Sequence, residues 1–471
     1  MVATRRWPAL VVVLSATFVQ LLDVSIVGVA AADIQSSLRA PSSLVQLVLV
    51  GYQIGFAATL VTAARLGDVH GRRRLFLVGM VAFTAASIGC ALAGSITVLV
   101  VARVVQGVAS GLMFPQVLSL IQVLFAPQER GAALGAYGAT IGLGTVLGPV
   151  AGGLLIEAGL SADPWRAIFL VNVPIGVAAT VAGLVVLPES TAPDRPRLDP
   201  LGAVLSAAGL ALVLYPLAQG REAGWPAWSW TMLAVGLAVL AVFVLHQRAR
   251  TRADRSPVLD LRLFTGRAFS VGALLAVTFY AGVPGFFLVL SLFLQEGRGL
   301  GALATGLTIL PFALGSALTA PFADGVAGRI GVRVLALGAG VLLAGMAALV
   351  AAVALGGPQA SPWLLVPGMA VGGLGFGLFV PPLVDLVLGG VPPVRAGAAS
   401  GALTSLQQVG AALGVALIGI VYFGAPVPEV ALTRALVYEI AVFALVLALV
   451  AALPRLRPVP DPAAAAAGAV R

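Results

Sequence analysis

The sequence contains no lysine, one cysteine and two histidines, and only 10% of its 471 residues are charged. Each scarcity removes a class of protein. A lone Cys90 can form neither a disulfide within the chain nor a cysteine-ligated metal site, and His70 and His246 cannot build a metal centre alone. The few acidic residues form no clustered set with histidine or cysteine, and no phosphate-cradling glycine loop is present, so neither an enzyme nor a nucleotide-driven machine is expected. No cofactor is expected either. A soluble globular chain carries about 25% charged residues, and this one has too few to clothe a water-facing surface.

What the sequence has instead is apolar bulk: 60% of it is hydrophobic, against about 45–50% in soluble proteins. Apolar runs recur from Ala9 to Leu453, and no polar interval is long enough for a soluble domain. A helix needs about 20 apolar residues to cross a bilayer. That ruler places six spans near Ala9–Ala31, Leu44–Ala64, Leu75–Ala93, Ile96–Gln116, Gly131–Glu157 and Arg166–Leu187. Two follow near Leu201–Gln219 and Trp230–His246. Six more lie near Phe269–Leu294, Leu303–Ala323, Val334–Leu355, Leu364–Leu388, Gly397–Tyr422 and Ala431–Leu453. Arg5 and Arg6 before an apolar stretch ending in Ala30-Ala31-Ala32 imitate a secretion signal, but that stretch exceeds the roughly 7–15 residues of a signal core. It also contains Asp23 and reads as the first span.

The net charge of +9 comes from arginine alone. The arginines sit in short clusters between apolar runs, which is the pattern of topology and not of nucleic-acid binding. With the N-terminus in the cytoplasm, only Arg39, Arg166, Arg221, Arg298 and Arg434 fall outside and Arg103 falls within a span; all the rest of the 27 lie inside. An even number of spans and interior termini follow, in an all-α protein of the cell membrane.

At an offset of 266 the chain matches itself. Gly107, Gly111, Leu112, Pro115, Gly131, Gly135, Gly144 and Gly148 fall on Gly373, Gly377, Leu378, Pro381, Gly397, Gly401, Gly410 and Gly414. Glycine spacing alone serves close helix packing, but the shared offset indicates parallel repeats. The expected organisation is therefore a six-helix bundle over 1–190, two inserted helices over 191–247, a basic cytoplasmic linker over 248–268, a second six-helix bundle over 269–455 and a disordered tail over 456–471. Arg103 aligns with Met369 and Pro149 with Val415, so the first half carries residues that duplication does not require.

Four segments resemble signatures of the major facilitator superfamily, and more narrowly of its fourteen-helix drug:proton antiporter group. RLGDVHGRRRLF from Arg65 is similar to the superfamily's cytoplasmic loop motif, with Ala64 in place of its leading glycine, and AGRIGVR from Ala327 is a degenerate echo. Asp68 is placed just before the third span, where a carboxylate can cap free amides. The resemblance implies that Asp68, Gly71, Arg72 and Arg73 form a gating latch between the halves; plain topology and capping would also explain them. LVVARVVQGVASG from Leu99 is similar to the motif with a buried arginine. Arg103 there is a functional candidate, with Gln106 and Gly107 one turn along, unless it snorkels to the outer interface. GTVLGPVAGGLL from Gly144 looks like the signature of exporters, in which Pro149 favours a kink and Gly144, Gly148, Gly152 and Gly153 permit close approach. WRAIFLVNVPIG from Trp165 resembles the opening of the sixth span, where Trp165 also suits an interfacial anchor.

Two acids lie within spans. Asp23, past the middle of the first, occupies the centre of the family's first-helix motif, and a carboxyl there can load and release a proton as water reaches it from alternate sides. Glu439, about two turns into the last, is a second candidate; Asp324 and Asp385 read as solvated helix ends. The resemblance implies a monomeric antiporter driven by a proton gradient that exports small amphipathic molecules, with Asp23 as proton carrier and Arg103 as its electrostatic partner, while Glu439, by its place in the last span, is a candidate for proton coupling or for contact with substrate. Its partners would be the substrate, protons and the lipid bilayer. A transporter dedicated to one physiological solute, or a non-transporting membrane assembly partner, also fits.

Overall fold

The computed structural model describes residues 6–126, 129–159, 163–191, 198–220, 223–253, 255, 257–356, 361–389, 391 and 396–451. The expected tail over 456–471 lies outside them, as do Arg5, Arg195, Arg197, Arg221, Arg395, Arg455, Arg457 and Arg471 of the charge pattern. Among the described residues, all regular structure is helical.

Thirteen helices are long and apolar enough to cross a membrane, and one bent helix makes a fourteenth. In chain order they are α1 (Arg6–Val29), α2 (Ser42–His70), α3 (Arg72–Ala91), α4 (Ile96–Leu124), α5 (Arg130–Glu157), α6 (Pro164–Val186) and α7 (Pro200–Gln219). Then follow α8 (Ala227–Arg252), α9 (Arg267–Gln295), α10 (Ala304–Ile330), α11 (Arg333–Gly356), α12 (Pro362–Leu388), α13 (Ala396–Phe423) and α14 (Pro428–Ala451). The bent helix is α2, which turns by 50° between Leu47–Leu60 and Thr62–His70.

Helices in lipid gain little from hydrophobic contact with each other and associate through close packing at small residues. The repeat glycines occupy these contacts. A β-carbon at Gly107 would fall 2.1 Å from the Tyr52 carbonyl oxygen on α2, and one at Gly373 would fall 2.0 Å from the Phe312 oxygen on α10. Gly144 and Gly148 press α5 on α1, while Gly410 and Gly414 press α13 on α9. Gly135 meets Ala320 across the halves, and its counterpart Gly401 meets Ala64. One offset in the sequence thus reappears as one set of helix crossings used twice.

The arginine-rich end is closed. There α5 lies antiparallel on α10, with Gly131 against Asp324, Gly135 against Ala320 and Gly142 against Ala313, while α13 crosses α2 at Gly401. Asp324 is therefore not a solvated helix end: it is half-buried over the first turn of α5.

The inserted helices α7 and α8 pack on each other, and α7 touches both α2 and α13, one helix from each half. Helix α8 runs on to Arg252, into the segment expected as linker, and Leu261–Thr265 forms a further short helix. This segment folds back: Leu259 N donates to Gln247 Oε1 at 3.2 Å, and Arg65 Nε donates to the Val258 carbonyl at 3.2 Å.

Asp199 holds the hairpin's base. It caps α7 by accepting from Gly202 N at 3.1 Å, just ahead of Pro200 at the first helical position. His246 Nε2 lies 3.0 Å from Oδ1, while Gln247 Nε2 at 3.0 Å and Arg250 Nε at 3.3 Å approach Oδ2. Burial pushes the Asp199 carboxyl up, but hydrogen bonds from His246, the Gly202 amide and Gln247, with the Arg250 charge, outweigh it and hold it below its ordinary value. Its contribution to stability is therefore complete above the ordinary carboxylate value of about 3.9 and is lost as pH falls through the lowered one. Asp199→Ala is expected to cost about 1–2 kcal/mol near neutral pH, and thermal unfolding in detergent should show the two proteins converging as pH drops below about 4. A difference that stays constant down to that pH would contradict the assignment.

Candidate functional site

Asp23 and Arg103, 80 residues apart, form an ion pair at the centre of the first bundle. Asp23 is 0% exposed and Arg103 1%. The guanidinium points inward from α4 to α1, so Arg103 does not snorkel to the membrane surface. Several groups hold it: Arg103 Nη1 donates to Asp23 Oδ2 and, at 2.7 Å, to Gln106 Oε1, while Nε donates to the Val48 carbonyl at 3.1 Å. The Tyr52 ring lies under its Cζ at 4.4 Å, an arrangement that favours a desolvated cation.

The second carboxylate oxygen is equally occupied. Gln106 Nε2 donates to Asp23 Oδ1 at 3.0 Å and Asn172 Nδ2 at 2.8 Å. Ser87 Oγ accepts from both amides, at 2.7 Å from Gln106 and 3.4 Å from Asn172, and the Cys90 thiol donates to Gln106 Oε1. Five helices contribute: α1, α2, α3, α4 and α6. A buried ion pair persists when hydrogen bonds support both partners, and these neutral groups supply them to Asp23 Oδ1 and to Nη1 and Nε of Arg103. Gln106 lies one turn from Arg103, so both reach α1 from the same face of α4.

Glycines set the distance behind Asp23. A β-carbon at Gly144 would fall 3.0 Å from Leu21 Cβ, at Gly148 2.4 Å from Ser25 Cβ and at Gly152 2.9 Å from Ile26 Cγ1. These three, four residues apart, are the α5 face that receives α1 on both sides of Asp23. Pro149 lies inside the continuous helix, and Gly153 is buried beside it.

The other sequence candidates lie elsewhere. Asp68 is not a cap of α3: it belongs to the last turn of α2, and Gly71, at φ 104°, occupies the N-cap with no side-chain bond. Glycine fits that backbone because other residues rarely adopt it. Asp68 accepts from Arg72 Nη2 at 3.0 Å, with Arg65 at 4.0 Å. Arg72 N bonds the Ser190 carbonyl at 2.9 Å and Arg73 Nη2 the Leu184 carbonyl at 2.5 Å, which ties the loop to the end of α6. Glu439 is in the second half, away from Asp23. Because α14 begins at Pro428, three residues before the expected start, Glu439 stands at its middle and not two turns in.

Asn172, Tyr52 and Ser87 were not singled out from the sequence. Asn172 lies inside the WRAIFLVNVPIG segment that opens at Trp165. Trp165 is fully buried beside Phe169 and under Arg166, so it is no lipid-facing anchor. A neutral polar residue within that apolar run was the available signal.

The comparisons agree with this architecture. The family model described as Major Facilitator Superfamily matches residues 13–415. The probable actinorhodin transporter of Streptomyces coelicolor is 42% identical over 421 residues, covering 89% of this chain and 73% of its own. The puromycin resistance protein of Streptomyces alboniger is 35% identical, covering 89% of this chain and 82% of its own. The tetracenomycin C resistance and export protein of Streptomyces glaucescens is 33% identical, covering 88% and 76%. Among solved structures, the proton:xylose symporter XylE has a TM-score of 0.67 at 14% identity, covering 94% of this chain and 95% of its own. The human organic anion transporter MFSD10 has a TM-score of 0.64 at 16% identity, covering 94% and 99%. With a family model across most of its length and relatives named for antibiotic export and resistance, the chain belongs to the major facilitator superfamily and is a multi-pass membrane transporter.

Proposed function

We propose that this protein exports small amphipathic compounds from the cytoplasm in exchange for protons, by alternating access and as a monomer without a cofactor. The observation that carries the reading is the buried Asp23–Arg103 pair, clasped by Gln106 and Asn172 and backed by the α1–α5 glycine seam. Protonating Asp23 cancels its charge and removes the attraction that binds α1 to α4. Arg103 then retains the Gln106 oxygen, the Val48 carbonyl and the Tyr52 ring, and α1 is free to shift along the glycines of α5. Asp68, Gly71, Arg72 and Arg73 form the cytoplasmic latch in this scheme, and the seam over Gly144, Gly148, Pro149, Gly152 and Gly153 is its bearing surface. The relatives named for actinorhodin, tetracenomycin C and puromycin support antibiotic-like substrates. That each is named for one compound also favours a second reading, an exporter dedicated to a single metabolite.

Proteoliposomes holding an imposed pH gradient test the proposal, with labelled puromycin, tetracenomycin C and actinorhodin as probes. The wild type is expected to accumulate at least one of them uphill. Asp23→Asn should lose the coupling, about 5- to 150-fold in gradient-driven accumulation, while still exchanging labelled for unlabelled substrate. Full uphill transport by Asp23→Asn would remove Asp23 from the role, and a wild type indifferent to the gradient would remove the proton.

A further inference from the structure

Glu439 differs from Asp23 in every respect except burial. It is 0% exposed at the middle of α14, yet neither carboxyl oxygen has a hydrogen-bonding partner among the described residues. Nor, among the described residues, does a cation pair with it. The helices packed against α14 are α9, α11 and α13. Of these, α9 and α11 carry their arginines, Arg267 and Arg333, at their first residues, and α13 carries no charged residue at all. On α14 itself, Arg434 reaches the Gly424 carbonyl at the far end, and Arg298 pairs with Glu429 there. Next to Glu439 on α14, the Tyr438 hydroxyl donates to the Ala281 carbonyl at 3.3 Å.

The carboxyl faces a break. Helix α9 is interrupted at Ala281 and Gly282, between Arg267–Tyr280 and Val283–Leu292, whereas its repeat counterpart α1 runs unbroken. Pro284 supplies no amide hydrogen to carry the helix across this point, and Gly282 N bonds back to the Phe279 carbonyl in a tighter turn. A β-carbon at Gly282 would fall 2.6 Å from Glu439 Oε2 and 3.0 Å from Phe443 Cζ, so the glycine makes the room that the carboxyl fills.

An ionised carboxylate with neither a protein donor nor a cation beside it is costly in such a setting, and the neutral acid is the form it accommodates. Even the neutral acid leaves its O–H unmatched, at a cost of about 1–3 kcal/mol that a leucine at this position would avoid. A group kept at such a cost beside a weak point in a helix has the makings of an exchange site. We infer that Glu439 is a second proton-binding site, independent of the Asp23 pair, which holds its proton in this conformation and releases it when the α9 break at Ala281–Gly282 opens to water. In the release step the Glu439 O–H bond breaks, the proton passes to water and the carboxylate remains. The role in transport rests on the proton-exchange reading above. Each half of the molecule then carries one exchangeable acid, in opposite states: Asp23 ionised and clasped, Glu439 neutral and unclasped.

Infrared difference spectroscopy of the purified protein at neutral pH tests this directly. The wild type is expected to show the carbonyl stretch of a protonated carboxylic acid that Glu439→Gln removes and Asp23→Asn leaves in place. If Glu439→Gln leaves the carboxylic-acid region unchanged, Glu439 is ionised at rest and the inference fails. Gly282→Ala, which pushes a methyl group toward Oε2, should shift the same band and serves where Glu439→Gln does not fold; an unmoved band again counts against the site. In proteoliposomes clamped at zero membrane potential, Glu439→Gln should lower the accumulation ratio of a neutral substrate from the square of the imposed proton ratio to its first power. An unchanged exponent overturns the role in exchange. A wild type that shows the band but no proton-driven transport overturns the proposed function and leaves the protonated acid standing.

Discussion

Arg103→Ala is expected to be among the most destabilising single changes in this chain, at about 3–5 kcal/mol, because it strips the cation from a buried carboxylate and leaves the charge uncompensated. Asp23 Oδ2 loses its donor outright, and Gln106 and Asn172 both already donate to Oδ1, so no neighbour can replace it. The Val48 carbonyl and Gln106 Oε1 lose donors as well, and the Tyr52 ring loses the group stacked on it. Thermal unfolding in detergent should report a large drop in midpoint. The informative comparison is the double variant Asp23→Asn with Arg103→Met, which removes both charges and fills most of the volume. Replacing a whole buried pair by neutral groups is often close to harmless, while halving it is not. The double variant should therefore recover most of the lost stability and remain inactive in gradient-driven export. If Arg103→Ala unfolds with the wild type, the pair is not what holds α1 to α4. If the double variant is no better than the single, the loss is one of packing and not of charge.

Charge and periodicity made part of this site readable in the sequence. Asp23 and Arg103 stand out because an ionised side chain inside a long apolar run demands a reason, and Gln106 follows from helical spacing. Asn172, Ser87 and Tyr52 carry no charge, and uncharged polar residues are common in spanning helices. What makes these three part of the site is that α2, α3 and α6 lie beside α1 and α4, and adjacency is a property of the assembled bundle. The same limit applied at the helix ends. Polar RLGD reads as a loop, but the break comes three residues later, where Gly71 has the positive φ, and Asp68 is therefore inside α2. Pro428 and Glu429 read as a loop too, although proline is at home in the first turn of a helix; with α14 starting there, Glu439 stands at the middle of the helix. The fourteen spans and the glycine repeat needed no such knowledge, because lipid forces every backbone group into a helix and the offset of 266 is written in the sequence itself.

The seam behind Asp23 yields the second large effect. Gly148→Val is expected to abolish export and to destabilise the first bundle by about 1–3 kcal/mol or more, the range for forcing extra methyl groups into a packed interior. Even the first added carbon would lie 2.4 Å from Ser25 Cβ, 3.0 Å from the Leu22 carbonyl oxygen and 3.1 Å from Ile26 N. Two of those three are backbone atoms, so α1 must move as a whole, and Asp23 moves with it away from Gln106 and Asn172. Ser25 cannot simply rotate aside, since its Cβ is the atom in the way and its hydroxyl already bonds the Leu21 carbonyl at 2.8 Å. Gly148→Ala should then be partly active, and adding Ser25→Gly should restore more of the activity by removing the nearer atom of the clash. No such restoration is expected for Gly148→Val, whose branches reach the backbone of α1. Measuring uphill export for the two single variants and for each combined with Ser25→Gly, with unfolding midpoints alongside, separates a helix contact from a mere tolerance for small residues. If Gly148→Val exported as well as the wild type, close approach of α5 to α1 would be irrelevant to the transport cycle, and the glycine spacing would have to be explained by assembly of the bundle alone.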